Sequence, residues 1–194
     1  MQDSRASGRR TLLIIAAVFL VPVAVAFSLY YGKLWRPANS SSKGELIDPA
    51  RPLAVAGLRR ADGSAAGPEV FSGKWTLIYI GDGRCDEDCK KALVFGRQTR
   101  LALNNEMTRV QRVMLATANC CDNDYFTREQ AGLVALDASS QEAAAFLSQF
   151  PAQRETSLFI VDPLGNLMMR HDASHTTKDL LSDLKKLLKL SHIG

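Results

Sequence analysis

The longest hydrophobic stretch of the chain covers residues 11–31, where no charged residue occurs. About 20 consecutive apolar residues are enough to cross a bilayer as a helix, and Pro22 is tolerated there if the freed backbone group finds a partner. Tyr30, Tyr31 and Trp35 lie at one end, where aromatic rings favour the membrane interface. The pattern therefore predicts a transmembrane anchor over residues 11–31.

Basic residues on either side of the anchor indicate its orientation. They are Arg5, Arg9 and Arg10 before it, and Lys33 and Arg36 after it. An excess of positive charge marks the cytoplasmic side, so residues 1–10 are predicted to be cytoplasmic and the rest of the chain to lie outside. A cleavable signal peptide is the alternative, but the run is long for one and no small-x-small cleavage site follows it.

The anchor is followed by a short polar segment and then by a globular domain. Residues 32–44, with the sequence Asn-Ser-Ser-Ser at their centre, predict a flexible tether. Residues 45–194 are numerous enough to bury a core of their own. The net charge of +4 is spread along the chain and gives no support to nucleic-acid binding.

Within the domain, apolar runs typical of strands alternate with amphipathic segments typical of helices. The run at residues 75–80 is apolar throughout, as expected for a strand buried on both faces. Further strands are predicted at residues 53–58, 69–71, 110–117, 133–136, 157–161 and 166–170. Helices are predicted at residues 89–105, 139–150 and 176–190. The second helix would be opened by a capping box of Ser139 and Glu142.

This alternation predicts an α/β fold in which helices cover both faces of a mainly parallel sheet. The sequence Asp-Pro-Leu-Gly at residues 162–165 fits a type I turn. The two strands that it joins are predicted to form an antiparallel hairpin at the sheet edge, which makes the sheet mixed.

Two of the four cysteines, Cys85 and Cys89, directly follow the apolar strand at 75–80. In a regular helix, side chains four residues apart have Cβ atoms about 5–6 Å apart, whereas a disulfide needs about 3.8 Å. The pair can therefore form a disulfide only in a loop or a distorted first turn, which Gly81 and Gly83 favour. As thiolates, the two cysteines could instead hold a soft ion such as Cu(I).

Four acidic residues surround this pair: Asp82, Asp86, Glu87 and Asp88. Their charge is expected to raise the pKa of a cysteine thiol, and a helix N-terminus is expected to lower it. A strongly oxidising dithiol is therefore disfavoured, whereas a metal cation or an electropositive partner protein would be attracted. Three interpretations remain open: redox or metal chemistry, docking of a partner protein, and a structural disulfide.

Cys120 and Cys121 are adjacent in sequence and follow the strand predicted at 110–117. If that strand lies parallel to the one at 75–80, all four sulfurs would meet at one edge of the sheet. The alternative is that one of the two faces the core as a small apolar residue. His171 and His175 could reach a metal only if the hairpin end folds towards Cys85, and His192 lies in the tail.

The anchor, the tether, the Cys85–Cys89 loop and the Asp-Pro-x-Gly turn together resemble the Sco/SenC family of membrane-anchored, thioredoxin-like proteins. Three departures from the family pattern are visible in this chain. The copper-binding His expected before the last hairpin is replaced by residues 153–156, Gln-Arg-Glu-Thr. Asp86 stands where the family usually has Pro, and no proline occupies the cis-Pro position of thioredoxins near residues 155–156.

The resemblance implies a thioredoxin-like fold and a role in assembling cytochrome c oxidase at the outer face of a bacterial inner membrane. Its partners would be oxidase subunits or other assembly factors. Cys85 and Cys89 would reduce partner cysteines or transiently hold Cu(I), with Cys120, Cys121 or His175 as possible further ligands. A general periplasmic thiol–disulfide oxidoreductase and a docking subunit without chemistry are the alternative functions.

Overall fold

The computed structural model describes residues 3–32, 42–121, 124–152, 154–172, 175–191 and 193. The chain divides into two compact units, residues 1–41 and 42–194. In the first unit, α1 (Asp3–Tyr31) contains Pro22. Its segment Gly8–Tyr31 is long and apolar enough to cross a membrane, which fits an anchor. Most of the predicted tether and His192 lie outside the described residues.

The second unit alternates strands and helices. Its elements, in chain order, are β1 (Glu45–Pro52), β2 (Leu58–Arg60), β3 (Ala65–Ala66), β4 (Trp75–Gly81), α2 (Glu87–Leu101), β5 (Val110–Ala116), α3 (Asp124–Glu129), β6 (Leu133–Asp137), α4 (Gln141–Leu147), β7 (Ser157–Val161), β8 (Asn166–Asp172) and α5 (Thr177–Leu190). The strands β4, β5, β6 and β7 and the helix α5 correspond closely to the predicted segments.

The eight strands of the described residues form one mixed sheet in the order β1-β8-β7-β4-β5-β6-β2-β3. Among these strands, β4, β5 and β6 run parallel to one another, and the other pairings are antiparallel. The prediction of a mainly parallel sheet was therefore wrong. The reason is that β1, β2 and β3, which add antiparallel pairings at the two ends of the sheet, carry no clear alternating pattern.

The hairpin of β7 and β8 is present but does not lie at the sheet edge, because β1 pairs with β8 on its outer side. Its turn has the predicted form: the amide of Gly165 donates to the carbonyl of Asp162 at 3.0 Å. The carboxylate of Asp162 also accepts from the amides of Leu164 and Asn166. These bonds fix the reversal of the chain.

Several predicted elements at the start of the domain were wrong. The segment predicted as a strand at 53–58 is mostly coil, and β2 begins only at Leu58. The segment at 69–71 belongs to a 3-10 turn, Pro68–Phe71, since proline fixes φ and suits the first turn of a helix. Helix α4 is capped by Ser140 and not by Ser139, whose amide is held by the carboxylate of Asp137.

The sheet separates two hydrophobic clusters. On one face, α4 packs Phe146 with Phe71, Phe150 and Phe159. On the other face, α2 and α5 cover Leu77, Tyr79 and Met114, and Leu180, Leu184 and Leu188 of α5 are buried as predicted. Every residue of β4 is buried, which explains its continuous apolar run. This buried strand leads directly into the cysteine loop.

Candidate functional site

The cysteine pair lies at the carboxyl end of β4. Cys85 precedes α2 with a φ of 52°, and Cys89 lies in the first turn of the helix. The side chain of Asp86 caps the helix by accepting from the amide of Cys89 at 2.9 Å. The structure joins Cys85 and Cys89 by a disulfide, with their Cα atoms 5.1 Å apart. The disulfide forms because Cys85 stands outside the helix, the condition that the spacing imposed.

Both cysteines are almost fully buried, with 2% of each residue exposed. They belong to the hydrophobic cluster on the face of the sheet that α2 and α5 cover, where they pack with Tyr79 and Leu93. On their outer side they line a cleft of about 640 Å³, called here the disulfide cleft. Its other lining residues are Tyr79, Gly81, Asp82, Arg84, Asp86, Asp88, Thr117 and Thr156. A reacting group must therefore enter this cleft to reach the sulfur atoms.

Three of the four acidic residues around the pair, Asp82, Glu87 and Asp88, form ion pairs. Glu87 pairs with Lys90 and Asp88 with Lys91, each at 2.9 Å. Since Asp86 is the helix cap, these acids do not form an open negative patch, and the expected attraction for a metal or an electropositive partner is weaker than their number suggests.

Asp82 is the most strongly held of these acids. Its carboxylate accepts from the guanidinium and the amide of Arg84 and from the side-chain amide of Asn119. The Arg84 guanidinium, the Arg84 amide and Asn119 together lower the pKa of Asp82 to about 2. Asp82 thus joins the cysteine loop to the loop after β5 as a permanent anion.

Cys120 and Cys121 lie in that second loop and are disulfide-bonded to each other. Both are partly exposed. Although β4 and β5 are parallel neighbours as predicted, the two pairs do not merge into one site. Across the part of the chain that the structure describes, no group of three or more His, Cys, Asp or Glu side chains could hold a metal ion.

His175 does not join the cysteines. Its Nδ1 is 2.9 Å from the carboxylate of Asp172, and its Nε2 is 2.8 Å from the carbonyl oxygen of Lys43. Partial burial opposes protonation, but these two acceptors together raise the pKa of His175. Because each ring nitrogen of His175 already faces an oxygen atom of the protein, neither is directed at the cysteines.

His171 and Asp183 form a buried polar pair that the sequence analysis missed. The Nε2 of His171 is 3.3 Å from the carboxylate of Asp183, which also accepts from the amides of Lys43 and Gly44 at 2.8 Å each. Burial lowers the pKa of His171 to about 4, although the Asp183 carboxylate opposes this. A signal existed in the sequence, because Asp183 falls three residues after Leu180 on the apolar face of α5.

A second cleft, of about 310 Å³, adjoins the disulfide cleft and shares Asp88 and Thr156 with it. It lies beside α2 and the end of β8, where His171 and His175 line it. Thr156 directly precedes β7 and belongs to residues 153–156, the segment in which the family resemblance called for a copper-binding histidine. No histidine takes its place in the lining of the disulfide cleft among the described residues.

Comparisons with known proteins agree with this architecture. The family described as "Transmembrane-like, thioredoxin-like, C-terminal domain" matches residues 75–191. No curated protein sequence matches the chain. Yeast Sco1 with copper bound superimposes with a TM-score of 0.61 at 14% identity, covering 79% of this chain and 96% of that one.

Two further solved structures are similar. BsSco, a member of the Sco family of cytochrome c oxidase assembly proteins with a disulfide switch, has a TM-score of 0.55 at 16% identity, covering 76% of this chain and 99% of that one. The thioredoxin domain of a thiol–disulfide oxidoreductase from Bacteroides vulgatus has a TM-score of 0.52 at 16% identity, covering 73% and 99%. These likenesses confirm the predicted thioredoxin-like fold and its resemblance to Sco proteins.

Proposed function

Since this chain belongs to the family of transmembrane-like, thioredoxin-like C-terminal domains, we propose that it is a membrane-anchored assembly factor for cytochrome c oxidase. It acts through the Cys85–Cys89 dithiol–disulfide couple. In the reduced state, one thiolate attacks a disulfide of a partner protein, and the other resolves the mixed disulfide. Two electrons pass to the partner, whose cysteines become thiols, and the Cys85–Cys89 disulfide is formed.

The observation that carries the proposal is the position of the disulfide. It joins the end of a buried central strand to the first turn of α2 and faces a cleft of about 640 Å³. The strand fixes the loop, while the cleft admits a side chain of the partner. The oxidase as target is supported by the likeness to BsSco, whose family assembles that enzyme.

The first unit of the chain supports the location that we propose. Helix α1 anchors the protein in a bacterial inner membrane, with the N-terminus in the cytoplasm and the domain in the periplasm. The length of Gly8–Tyr31 and the arginines that precede it support this orientation. An oxidising compartment also permits the two disulfides.

The donor atoms do not reproduce the family's three-ligand copper site. Copper is bound in the yeast Sco1 structure, but Thr156 precedes β7 here and both ring nitrogens of His175 are engaged. Reduced Cys85 and Cys89 would offer two thiolates, which suit Cu(I), and the described residues provide no third ligand. In an anaerobic titration of the reduced chain with Cu(I), we therefore expect binding that is lost in Cys85→Ser and unchanged in His175→Gln, whereas binding that depends on His175 would contradict this assignment.

The redox couple is tested on the full-length chain in detergent micelles. A variant with Cys120→Ser and Cys121→Ser isolates the Cys85–Cys89 pair, which is equilibrated with glutathione buffers and quantified by thiol alkylation and mass spectrometry. We expect a reversible two-electron transition. A pair that stays oxidised at every glutathione ratio and with excess dithiothreitol would overturn the proposal.

A cellular experiment separates the proposal from its alternatives. Cells that carry Cys85→Ser with Cys89→Ser should lose most cytochrome c oxidase activity, while a Ser148→Ala control should keep it. Intact oxidase activity in the double variant would instead favour a docking subunit without chemistry. Turnover of an unrelated substrate such as insulin by the wild-type chain would favour a general oxidoreductase.

A further inference from the structure

The two disulfides lie in loops that contact each other at the same edge of the sheet. Strands β4 and β5 are parallel and in register to their ends, with Gly81 opposite Ala116. Beyond them, the amide of Gly83 donates to the carbonyl of Ala118 at 2.8 Å. Asn119, the residue before Cys120, donates to both oxygens of the Asp82 carboxylate. The loops therefore behave as one packed structure.

Gly83 shows how close this packing is. A Cβ atom at this position would overlap the carbonyl oxygen of Asn119. Since that contact is with backbone, any larger residue would push the two loops apart. The loop after β5 has a positive φ at two residues: 49° at Asn119, which asparagine tolerates, and 109° at Cys121, which a cysteine rarely adopts. Such backbone angles in non-glycine residues are concentrated at functional sites.

The two pairs differ in how well a reductant can reach them. Cys85 and Cys89 are 2% exposed, whereas Cys120 and Cys121 are partly exposed. Thiol–disulfide exchange requires direct approach of a thiolate to a sulfur atom. A folded reductant protein can therefore meet the Cys120–Cys121 pair at the surface, whereas it must insert a side chain into the disulfide cleft to reach Cys85 and Cys89. Thr117, which lines the disulfide cleft, is within about 10 Å of Cys120 along the chain.

We propose that Cys120 and Cys121 are a second redox pair, which receives electrons from an external protein dithiol and passes them to the Cys85–Cys89 disulfide. This inference rests on the proposed function, because it explains how the buried pair is returned to its reduced state. It assigns a role to two cysteines that neither a metal site nor the core uses.

The transfer is balanced in sulfur, protons and electrons. A dithiol of a reductant protein first reduces the Cys120–Cys121 disulfide and becomes a disulfide itself. A thiolate of this pair then attacks Cys85 or Cys89, which forms an interloop disulfide and releases the other thiolate of the buried pair. The second cysteine of the Cys120–Cys121 pair then attacks the interloop disulfide at the sulfur of its neighbour and releases the remaining thiol of the buried pair. Cys120–Cys121 is again a disulfide, and Cys85 and Cys89 carry two thiols.

The first test measures rate. The oxidised full-length chain in micelles is treated with reduced thioredoxin, and free Cys85 and Cys89 are counted by quenched alkylation and mass spectrometry. Replacing Cys120 and Cys121 by Ser should slow their appearance at least tenfold, while tris(2-carboxyethyl)phosphine, a small reductant, should reduce both proteins at similar rates. Gly83→Ala, which keeps all four cysteines but separates the loops, should also slow the thioredoxin reaction.

The second test asks whether a cysteine of one loop can form a disulfide with a cysteine of the other loop. Four double serine variants each keep one cysteine in each loop, and mild oxidation by diamide should join the two in at least one variant. Equal thioredoxin rates with no interloop disulfide in any variant would overturn the relay and leave the proposed function standing. A Cys85–Cys89 pair that neither reductant reduces would overturn both.

Discussion

Asp82 and Asp183 each hold separate segments of the domain together, but the first carboxylate is partly exposed to water and the second is buried. Asp82, at the disulfide cleft, has a side chain that is 38% exposed, and it accepts from Arg84 and Asn119. Asp183, on α5, has a side chain that is 1% exposed and accepts from two backbone amides and faces His171. The Asp82 carboxylate accepts five hydrogen bonds and the Asp183 carboxylate accepts two, but the first is partly exposed to water and the second is buried.

This difference in exposure indicates which interactions contribute most to the stability of the domain. Around the disulfide, water screens each ion pair, so these pairs contribute little to stability. Around Asp183, the amide of Gly44 and the ring of His171 are buried, so they are left unsatisfied if the carboxylate is removed. The ion pairs at the reactive end of the molecule therefore stabilise it less than the buried hydrogen bonds stabilise the start of the domain at Gly44.

The largest effect is expected from removing the buried carboxylate. Asp183→Ala leaves the amides of Lys43 and Gly44 and the ring of His171 without their acceptor. It should lower the free energy of unfolding by about 3–5 kcal/mol. The measurement is urea unfolding of the full chain, followed by tryptophan fluorescence. Asp183→Asn, which keeps an acceptor oxygen, should lose clearly less; equal losses would contradict the assigned role.

The next largest effect on stability is expected from removing the Cys85–Cys89 disulfide. Replacing Cys85 and Cys89 by Ala opens a short covalent loop and should cost about 2 kcal/mol through the entropy of the unfolded chain. Replacing Cys120 and Cys121 should cost much less, because adjacent residues enclose almost no chain. Urea unfolding of both double variants checks this, and the reverse order would show that the outer pair carries the structural role.

A pH dependence of stability is expected from His171. Its pKa falls from an ordinary 6.5 to about 4 on folding, so the unfolded chain binds the proton more tightly. Stability is therefore full above pH 6.5 and is lost as the pH falls towards 4, by about 2 kcal/mol at pH 5. His175, whose pKa is raised, acts in the opposite sense, and its contribution is lost only as the pH rises above about 6.5.

Unfolding curves at pH 7.5 and pH 5 test this expectation against His171→Gln. The glutamine variant should be less stable at neutral pH because the buried pair is disturbed, but the loss between the two pH values should be smaller than in the wild type. An unchanged pH dependence in His171→Gln would assign the effect to another group.

The smallest effect is expected from Asp82→Ala. Because this carboxylate is exposed, its loss should leave the unfolding midpoint nearly unchanged. Amide hydrogen exchange at residues 117–121 should rise roughly two- to fivefold, the scale of one loose surface pair. With a pKa of about 2, Asp82 stays ionised, so the result should be the same from pH 4 to pH 8. A large loss of stability would contradict the comparison with Asp183.

Much of the fold could be predicted because its signals are local. The continuous apolar run of β4, the leucines of α5 and the Asp-Pro-x-Gly turn each act within a few residues. The strands β1 to β3 could not be predicted, because their pairing with β8 and β6 depends on partners far along the chain. The position of the β7–β8 hairpin inside the sheet could not be predicted either, because it depends on the pairing of β1 with β8.

The candidate site divides in the same way. Residue types and spacing alone determined that Cys85 and Cys89 follow a buried strand at the start of a helix. Tertiary structure decided that this disulfide is buried in a cleft, that Cys120 and Cys121 pair with each other, and that three of the four surrounding acids form ion pairs.

Only the tertiary structure brought Asp183 and His171 together with residues 43–44, since about 140 positions of sequence separate Asp183 from residues 43–44. Local hydrophobic pattern is written into consecutive residues, whereas burial and hydrogen-bond partners depend on how separate elements pack. For this protein, the sequence determined where the chemistry is located, and the packing determined which sulfur atoms and which charges are free to take part in it.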